Sequence, residues 1–212
     1  MFKVRLKFSK TGAAAYTSHL DLMKMLQRSF VRAGLPLRYS EGFNPHICMS
    51  ILVPLSTGYE SLCELCDIEL TCDEMPEGLV DKLNAAFPRG IRALEAIPAV
   101  RPPRHVARCI YQLTMPAGDA EAMAELFKSP VMLDKRSKRG IKEVDICPYI
   151  REISFETAGE KVLCRCVLDA GNDPLNPLYI ARALQKAELI PEDAVVTYLR
   201  QEILDENGEI FF

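Results

Sequence analysis

Residues 2–34, FKVRLKFSKTGAAAYTSHLDLMKMLQRSFVRAG, decide how the fold begins. Apolar and basic side chains alternate over residues 2–8, which is the period of a half-buried β-strand. A turn at Gly12 ends the strand. Ser18 and Asp21, three positions apart, then form a helix-capping pattern, and apolar residues at helical spacing follow them. The stretch therefore predicts a strand followed by an amphipathic helix.

The same signals predict two similar halves. In the first half they predict helices over 18–33 and 77–87 and strands over 2–8, 37–40, 47–55, 62–70 and 91–96. In the second half they predict helices over 119–128 and 176–187 and strands over 109–115, 131–135, 151–157, 161–168 and 195–204, with an irregular insert over 136–150. The paired prolines of Val100-Arg-Pro-Pro-Arg104 mark a boundary, because proline is excluded from helix interiors and central strands. We therefore predict an α+β fold of two tandem ferredoxin-like (βαββαβ) units, residues 1–100 and 105–212.

Composition restricts the class of protein. The chain has 212 residues, of which 49% are hydrophobic, and no apolar run approaches the roughly 20 residues that cross a bilayer. The N-terminus alternates charged and apolar residues, unlike the apolar region of a signal peptide. We therefore expect a cytoplasmic protein without a membrane partner, and we expect its eight cysteines to be free thiols.

Charge is distributed unevenly. Residues 1–40 carry eight Lys or Arg and one acid, Asp21, although the whole chain has a net charge of −3. Soluble surfaces usually mix the two signs, so this set favours a contact with an anionic polymer or phosphate over a solvated face. Residues 61–81 hold seven acids and no base, so a polyanion would have to bind a restricted face.

The polar-aromatic stretch Tyr39-Ser-Glu-Gly-Phe-Asn-Pro-His46 reads as a loop, because its glycine and proline interrupt regular structure. Phe43 offers a stacking face for a base, Asn44 an amide for base edges, and His46 a switchable donor or acceptor. The alternative is a structural loop in which Phe43 fills the core and Asn44 forms a turn. The sequence leaves both interpretations open.

His19 and Asp21 stand at the predicted start of the first helix, where polar side chains can bind phosphate or support acid–base chemistry. Asp21 is explained by helix capping alone, whereas capping does not require His19. With His46 and Glu41, His19 could form a catalytic pair.

Two further clusters, one of cysteines and one of basic residues, give weaker indications of function. Cys63 and Cys66 form a lone C-x-x-C followed by Cys72, and a strand places residues three apart on opposite faces, so we predict no metal site. The basic run over 135–142 is either a solvated hairpin or a second polyanion contact. The chain contains no phosphate-binding loop and no G-x-S-x-G motif.

Several motifs of the first 60 residues resemble a bacterial domain family of unknown function, the radical-SAM-linked or radical-SAM-associated proteins. The motifs are VRLKFSKTG from Val4, SHLD from Ser18, RAGLP from Arg32, YSEGFNPH from Tyr39 and PLSTG from Pro54. The resemblance implies association with a radical SAM enzyme, often in a gene setting near RNA processing. Many relatives have Pro-Lys after the Asn-Pro-x of the loop, where this chain has Ile47-Cys48. The chain has no C-x-x-x-C-x-x-C run for a radical SAM cluster, so the partner would supply that chemistry.

These observations predict a non-catalytic RNA-binding or substrate-presenting partner of a radical SAM protein, without cofactor or metal. Two alternatives stay open: a metal-independent ribonuclease-like enzyme that uses His19 and His46, and a pure protein–protein adaptor. The predicted ligand contacts are Arg5, Lys7, Lys10, His19, Asp21, Arg38, Glu41, Phe43, Asn44 and His46. The prediction depends on the basic groups of the first strand converging with the loop before residue 47.

Overall fold

A computed structural model of the chain describes residues 1–137, 140–171 and 173–212. The chain divides into two units, Met1–His105 with Phe212 and Val106–Phe211. Both combine helices with mostly antiparallel strands, so the predicted α+β class is confirmed. None of the helices in the described ranges combines the length and the apolar character needed to span a membrane.

The first unit follows the order β-α-β-β-α-β. Its elements are β1 (Phe2–Lys10), α1 (His19–Arg32), β2 (Met49–Ile51), β3 (Glu60–Leu70), α2 (Leu79–Ala86) and β4 (Ile91–Pro98), with a short 3-10 helix over Gly12–Tyr16. The strands lie in the order β4-β1-β3, and β2 also pairs with β3. Only three residues of the strand predicted over 47–55 are extended. The strand predicted over 37–40 is reduced to two isolated bridges, Leu37 to Leu70 and Tyr39 to Ile47.

The predicted start of α1 is confirmed. The Ser18 hydroxyl accepts a hydrogen bond from the backbone N–H of Asp21 at 3.2 Å, which satisfies one of the free amides of the first turn. The buried stripe of the helix is formed by Leu22, Leu26 and Phe30. These side chains cover one face of the sheet.

The core of the first unit lies between that face and the two helices. On β1 the apolar alternation behaves as predicted, since Val4, Leu6 and Phe8 are fully buried. Leu79 and Leu83 of α2 join the same cluster. Burial of this apolar surface stabilises the unit and fixes which face α1 turns outward.

The second unit repeats the strand order. Its elements are β5 (Val106–Pro116), α3 (Ala120–Leu126), β6 (Met132–Ser137), β7 (Gly140–Asp145), β8 (Ile150–Ala158), β9 (Lys161–Asp169), α4 (Leu178–Lys186) and β10 (Thr197–Asp205). Four of its strands lie in the order β10-β5-β9-β8 and pair antiparallel. Helix α4 buries Ile180 and Leu184, and the Phe127 ring stacks on Phe155 at 5.9 Å.

One expectation for the second unit is wrong. The sequence predicts a strand over 131–135 and an irregular insert over 136–150, but β6 and β7 form a two-stranded hairpin, in which Lys135 stands opposite Lys142. The sequence of β7 lacks the apolar alternation by which a half-buried strand is predicted, because residues 140–143 are all exposed to solvent. Lys138 and Arg139 of the basic run lie outside the described residues.

Candidate functional site

Arg5 of β1 is buried and paired inside the protein. Arg5 is 1% exposed, and its Nε and Nη2 donate to the two carboxylate oxygens of Asp67 at 2.7 and 3.0 Å. Antiparallel pairing places Arg5 directly opposite Asp67 on β3. Lys3 also lies near Asp67, with 3.6 Å between Nζ and Oδ2. The structure thus contradicts the predicted phosphate contact of Arg5, because a residue of the acidic segment 61–81 neutralises it.

Lys10 is likewise unsuited to a surface contact. It is 1% exposed, and its Nζ donates to the backbone oxygen of Ala15 at 3.0 Å. Lys7 is half-buried, and its Nζ lies 5.9 Å from the centre of the Phe212 ring. The prediction for Lys10 is therefore wrong, and that for Lys7 stays a prediction.

Two further predicted contacts have structural partners. Arg38 Nη1 lies 2.6 Å from Glu69 Oε2 in a half-exposed ion pair. The Asp21 carboxylate accepts a hydrogen bond from the Ser18 hydroxyl at 2.7 Å, in addition to the backbone cap. Asp21 therefore has the helix-capping role that was the alternative to ligand binding.

The segment 39–47 forms a closed loop that projects from the unit. Its base is held by hydrogen bonds from the Ser40 N–H to the His46 oxygen at 2.8 Å and from the His46 N–H to the Ser40 hydroxyl at 3.1 Å. The Ser40 hydroxyl and His46 Nδ1 lie 2.8 Å apart. Residues 41–46 are all exposed, and Phe43 reaches 105% relative exposure. The alternative of Phe43 as a core residue is therefore wrong.

The outward face of α1 carries basic and apolar side chains together. Lys24 and Arg28, one turn apart, are exposed, and Leu20 and Val31 are exposed by 69% and 54%. Within the described ranges no ion pair or hydrogen bond engages the side chain of Lys24 or Arg28. Arg32 differs, since its Nη2 donates to the Ala86 oxygen at 2.7 Å and so holds the end of α2.

The loop and α1 meet at a groove of about 460 Å³. It is lined by Gln27, Arg28, Val31, Arg32 and Ile47. We call Lys24, Arg28 and Val31 of α1, with Phe43 and Ile47 of the loop, the α1–loop surface. The basic groups that the groove places beside Ile47, at the end of the loop, are Arg28 and Arg32 of α1 and not residues of β1.

The histidines are not joined. His19 is the first residue of α1, and the 12-residue interval to Val31 corresponds to about 18 Å along the helix axis. Among the described residues, no hydrogen bond connects His19 with His46 or Glu41. Asn44 and Glu41 are exposed on the loop. His19 is exposed at the far end of α1 from the groove.

Sequence patterns alone did not identify the groove residues of the α1–loop surface. A helical signal could have found Val31: it falls on the same face as Leu20 and Lys24, opposite the stripe of Leu22 and Leu26. Apolar residues on both sides of a helix indicate a second contact surface. Nothing local could have paired Ile47 with that face, because the two are separated by a turn and a loop.

The cysteines give no indication of a metal centre. No group of three or more His, Cys, Asp and Glu side chains in the described ranges is arranged to hold an ion. Cys63 and Cys66 are fully buried on β3, and burial raises the pKa of the Cys66 thiol. A thiol in this state is a poor metal ligand and nucleophile. Cys164 and Cys166 are fully buried as small core residues.

A polar cluster ties the β6–β7 hairpin to the second unit. Lys135 Nζ lies 2.6 Å from Asp173 Oδ1 and 4.1 Å from the centre of the Tyr149 ring, and Tyr149 donates to Asp173 Oδ2 at 2.7 Å. The hydrogen bond to Asp173 raises the pKa of Tyr149, and the hydrogen bond from Lys135 lowers the pKa of Asp173. Lys135 of the basic run is therefore engaged within the second unit.

Comparison with protein families gives a match over most of the chain. The family described as "Uncharacterized protein conserved in bacteria (DUF2344)" matches residues 3–177. The chain belongs to this family. Membership confirms a bacterial family of unknown function, as the resemblance implied, and assigns no activity to the DUF2344 chain. No curated protein matches it.

Solved structures resemble the DUF2344 chain in fold only. A chain in the crystal structure of a Cbf5-Nop10-Gar1 complex is similar at a TM-score of 0.50 and 13% identity, over 95% of this chain. This chain spans about half, 49%, of the length of that one. A crystal structure of an unknown protein from Galdieria sulphuraria is similar at a TM-score of 0.28 and 11% identity, covering 94% of this chain and 98% of that one. The first likeness supports the mixed α+β class, and the second is too low to support an inference.

Proposed function

We propose that the chain is a non-catalytic RNA-binding partner of a radical SAM enzyme and that it binds RNA through the α1–loop surface. The observation that carries the proposal is the pair Lys24 and Arg28. Both are exposed, one turn apart on α1, and neither is engaged by a described carboxylate. Most other charges of the same unit that were expected to bind phosphate are satisfied internally.

Phosphate is the group that suits this pair. Ammonium and guanidinium groups on a helix face bind phosphate oxygens with charge-assisted hydrogen bonds, and side chains four residues apart stand about 5–6 Å from each other at Cβ. Asn44 and His46 on the neighbouring loop add hydrogen-bond donors and acceptors. Positive charge beside exposed amide and aromatic groups is the arrangement by which proteins hold single nucleic acid strands.

The remaining parts of the proposal rest on separate support. The radical SAM partner rests on the sequence resemblance. The finer fold class, two ferredoxin-like units, is supported by the strand orders β4-β1-β3, with β2 on β3, and β10-β5-β9-β8. A cytoplasmic location is proposed from the sequence alone.

The alternative functions have weaker support. A ribonuclease-like reaction would need a positioned acid and base, and the structure provides no contact between His19 and His46. A protein adaptor would use the apolar part of the groove, Val31 and Ile47. It would give no binding role to the exposed cations of Lys24 and Arg28.

The salt dependence of binding tests the proposal. Two phosphate contacts on a single strand predict a slope of about −1.4 in log K against log salt, which is about a sevenfold loss of affinity between 50 and 200 mM salt. The affinity of the purified chain for a fluorescent mixed-sequence RNA, measured by anisotropy at several salt concentrations, gives this slope. Absence of binding, or affinity that is independent of salt, would contradict RNA binding. Failure to co-purify with a co-expressed radical SAM enzyme would contradict the partner.

A further inference from the structure

We infer that the RNA is single-stranded and that the α1–loop surface contacts its bases as well as its phosphates; this inference rests on the proposed function. The first observation is the ring of Phe43. It stands at the tip of the loop with 105% relative exposure, and no described ring or cation contacts it. An aromatic side chain held in water on a surface is the platform on which unpaired bases stack.

The platform is presented by a closed backbone and not by a free chain end. The hydrogen bonds between Ser40 and His46 fix the base of the loop. Gly42 has φ +118°, a conformation that residues with a side chain rarely adopt, so the turn before Phe43 depends on glycine. A loop held in this way spends little conformational entropy when a base stacks on it.

The groove provides a second position for a base. Apolar Val31 and Ile47 line it together with the polar residues Gln27, Arg28 and Arg32. Its volume of about 460 Å³ lies in the range of small-molecule sites. The apolar walls suit the face of a base, the amide suits a base edge, and Arg28 suits the adjoining phosphate.

The two positions are close enough for one short strand. Phe43 precedes Ile47 by four residues, so their Cα atoms are at most about 14 Å apart. In an A-form duplex the bases are stacked on each other, and a protein reaches mainly phosphates and 2′-hydroxyls. Neither Phe43 nor the groove could contact a base face there. The surface therefore favours a single strand over a duplex.

Paired measurements on two RNAs test this inference. We expect a 12-nucleotide single strand to bind at least about tenfold more tightly than the duplex of the same length at equal salt. We expect Phe43→Ala to weaken single-strand binding about 30-fold, the middle of the range for loss of one stacked base, and to leave duplex binding unchanged. Tyr16→Ala is the matched control, because Tyr16 is also an exposed aromatic, at 75%, but lies outside the surface.

The outcomes separate this inference from the proposed function. Equal affinity for the two RNAs, or a Phe43→Ala chain that binds the single strand as tightly as the Tyr16→Ala chain, would overturn the single-strand inference and leave RNA binding in place. Binding of neither RNA would overturn both. Retained single-strand preference with a selective loss in Phe43→Ala would support both.

Discussion

Replacement of Asp67 by Ala is expected to lower the free energy of unfolding by about 3–5 kcal/mol, the usual cost of removing one partner of a buried ion pair. Asp67 and Arg5 are both 1% exposed at their side chains, and two hydrogen bonds join them. Alanine removes the carboxylate that both bonds reach while the guanidinium stays buried. Urea unfolding followed by circular dichroism measures the change.

Two control variants show whether the loss comes from the buried pair. Asp73→Ala removes an acid that is 99% exposed and pairs with the N-terminal amine, so it is expected to change stability by at most about 1 kcal/mol. The double variant Arg5→Met, Asp67→Leu replaces the pair by apolar groups of similar volume and is expected to recover most of the stability. If Asp67→Ala were no more destabilising than Asp73→Ala, Arg5 would not be committed to the interior, and its predicted role in phosphate binding would return.

The second large effect concerns binding. The double variant Lys24→Glu, Arg28→Glu is expected to lower RNA affinity by about 100-fold at low salt, because two charge-assisted contacts of about 1.5 kcal/mol each are lost. The salt slope is expected to fall towards zero with them. Both side chains are exposed and unengaged by described groups, so the unfolding midpoint should stay close to that of the parent chain. Fluorescence anisotropy gives the affinity and thermal denaturation the stability.

The matched control is Lys82→Glu, Arg89→Glu. These two residues are exposed in the same unit and lie outside the α1–loop surface, so the control changes the net charge by the same amount. This control chain is expected to retain most of the affinity. Equal losses in the two double variants would show that RNA responds to net charge alone and would contradict a localised site.

Local sequence patterns correctly predicted those helices and strands of the first unit whose structure depends on neighbouring residues in the chain. Ser18 caps α1, and Val4, Leu6 and Phe8 are buried as their alternation indicated. The burial of Arg5 and its pairing with Asp67 could not be predicted in this way. Its alternation indicates an outward face, but its partner Asp67 lies 62 positions away and faces it only because β1 and β3 pair in one register.

The exposed loop of the candidate site was predicted from the sequence, but the groove at its end was not. The loop residues Phe43, Asn44 and His46 are exposed as a ligand contact requires. The cations nearest the end of the loop belong to α1, because Ile47 lines one groove with Arg28 and Arg32. A helical repeat of basic residues identifies such a face, but only tertiary packing shows which loop lies next to it.

Ultraviolet cross-linking of a uridine-containing single strand, with the modified residues identified by mass spectrometry, tests the central claim most directly. We expect adducts in segments 24–31 and 39–47, above all at Phe43, and we expect their loss in the Lys24→Glu, Arg28→Glu chain. Adducts confined to the second unit, for example to the hairpin over 132–145, would place RNA elsewhere and contradict the account.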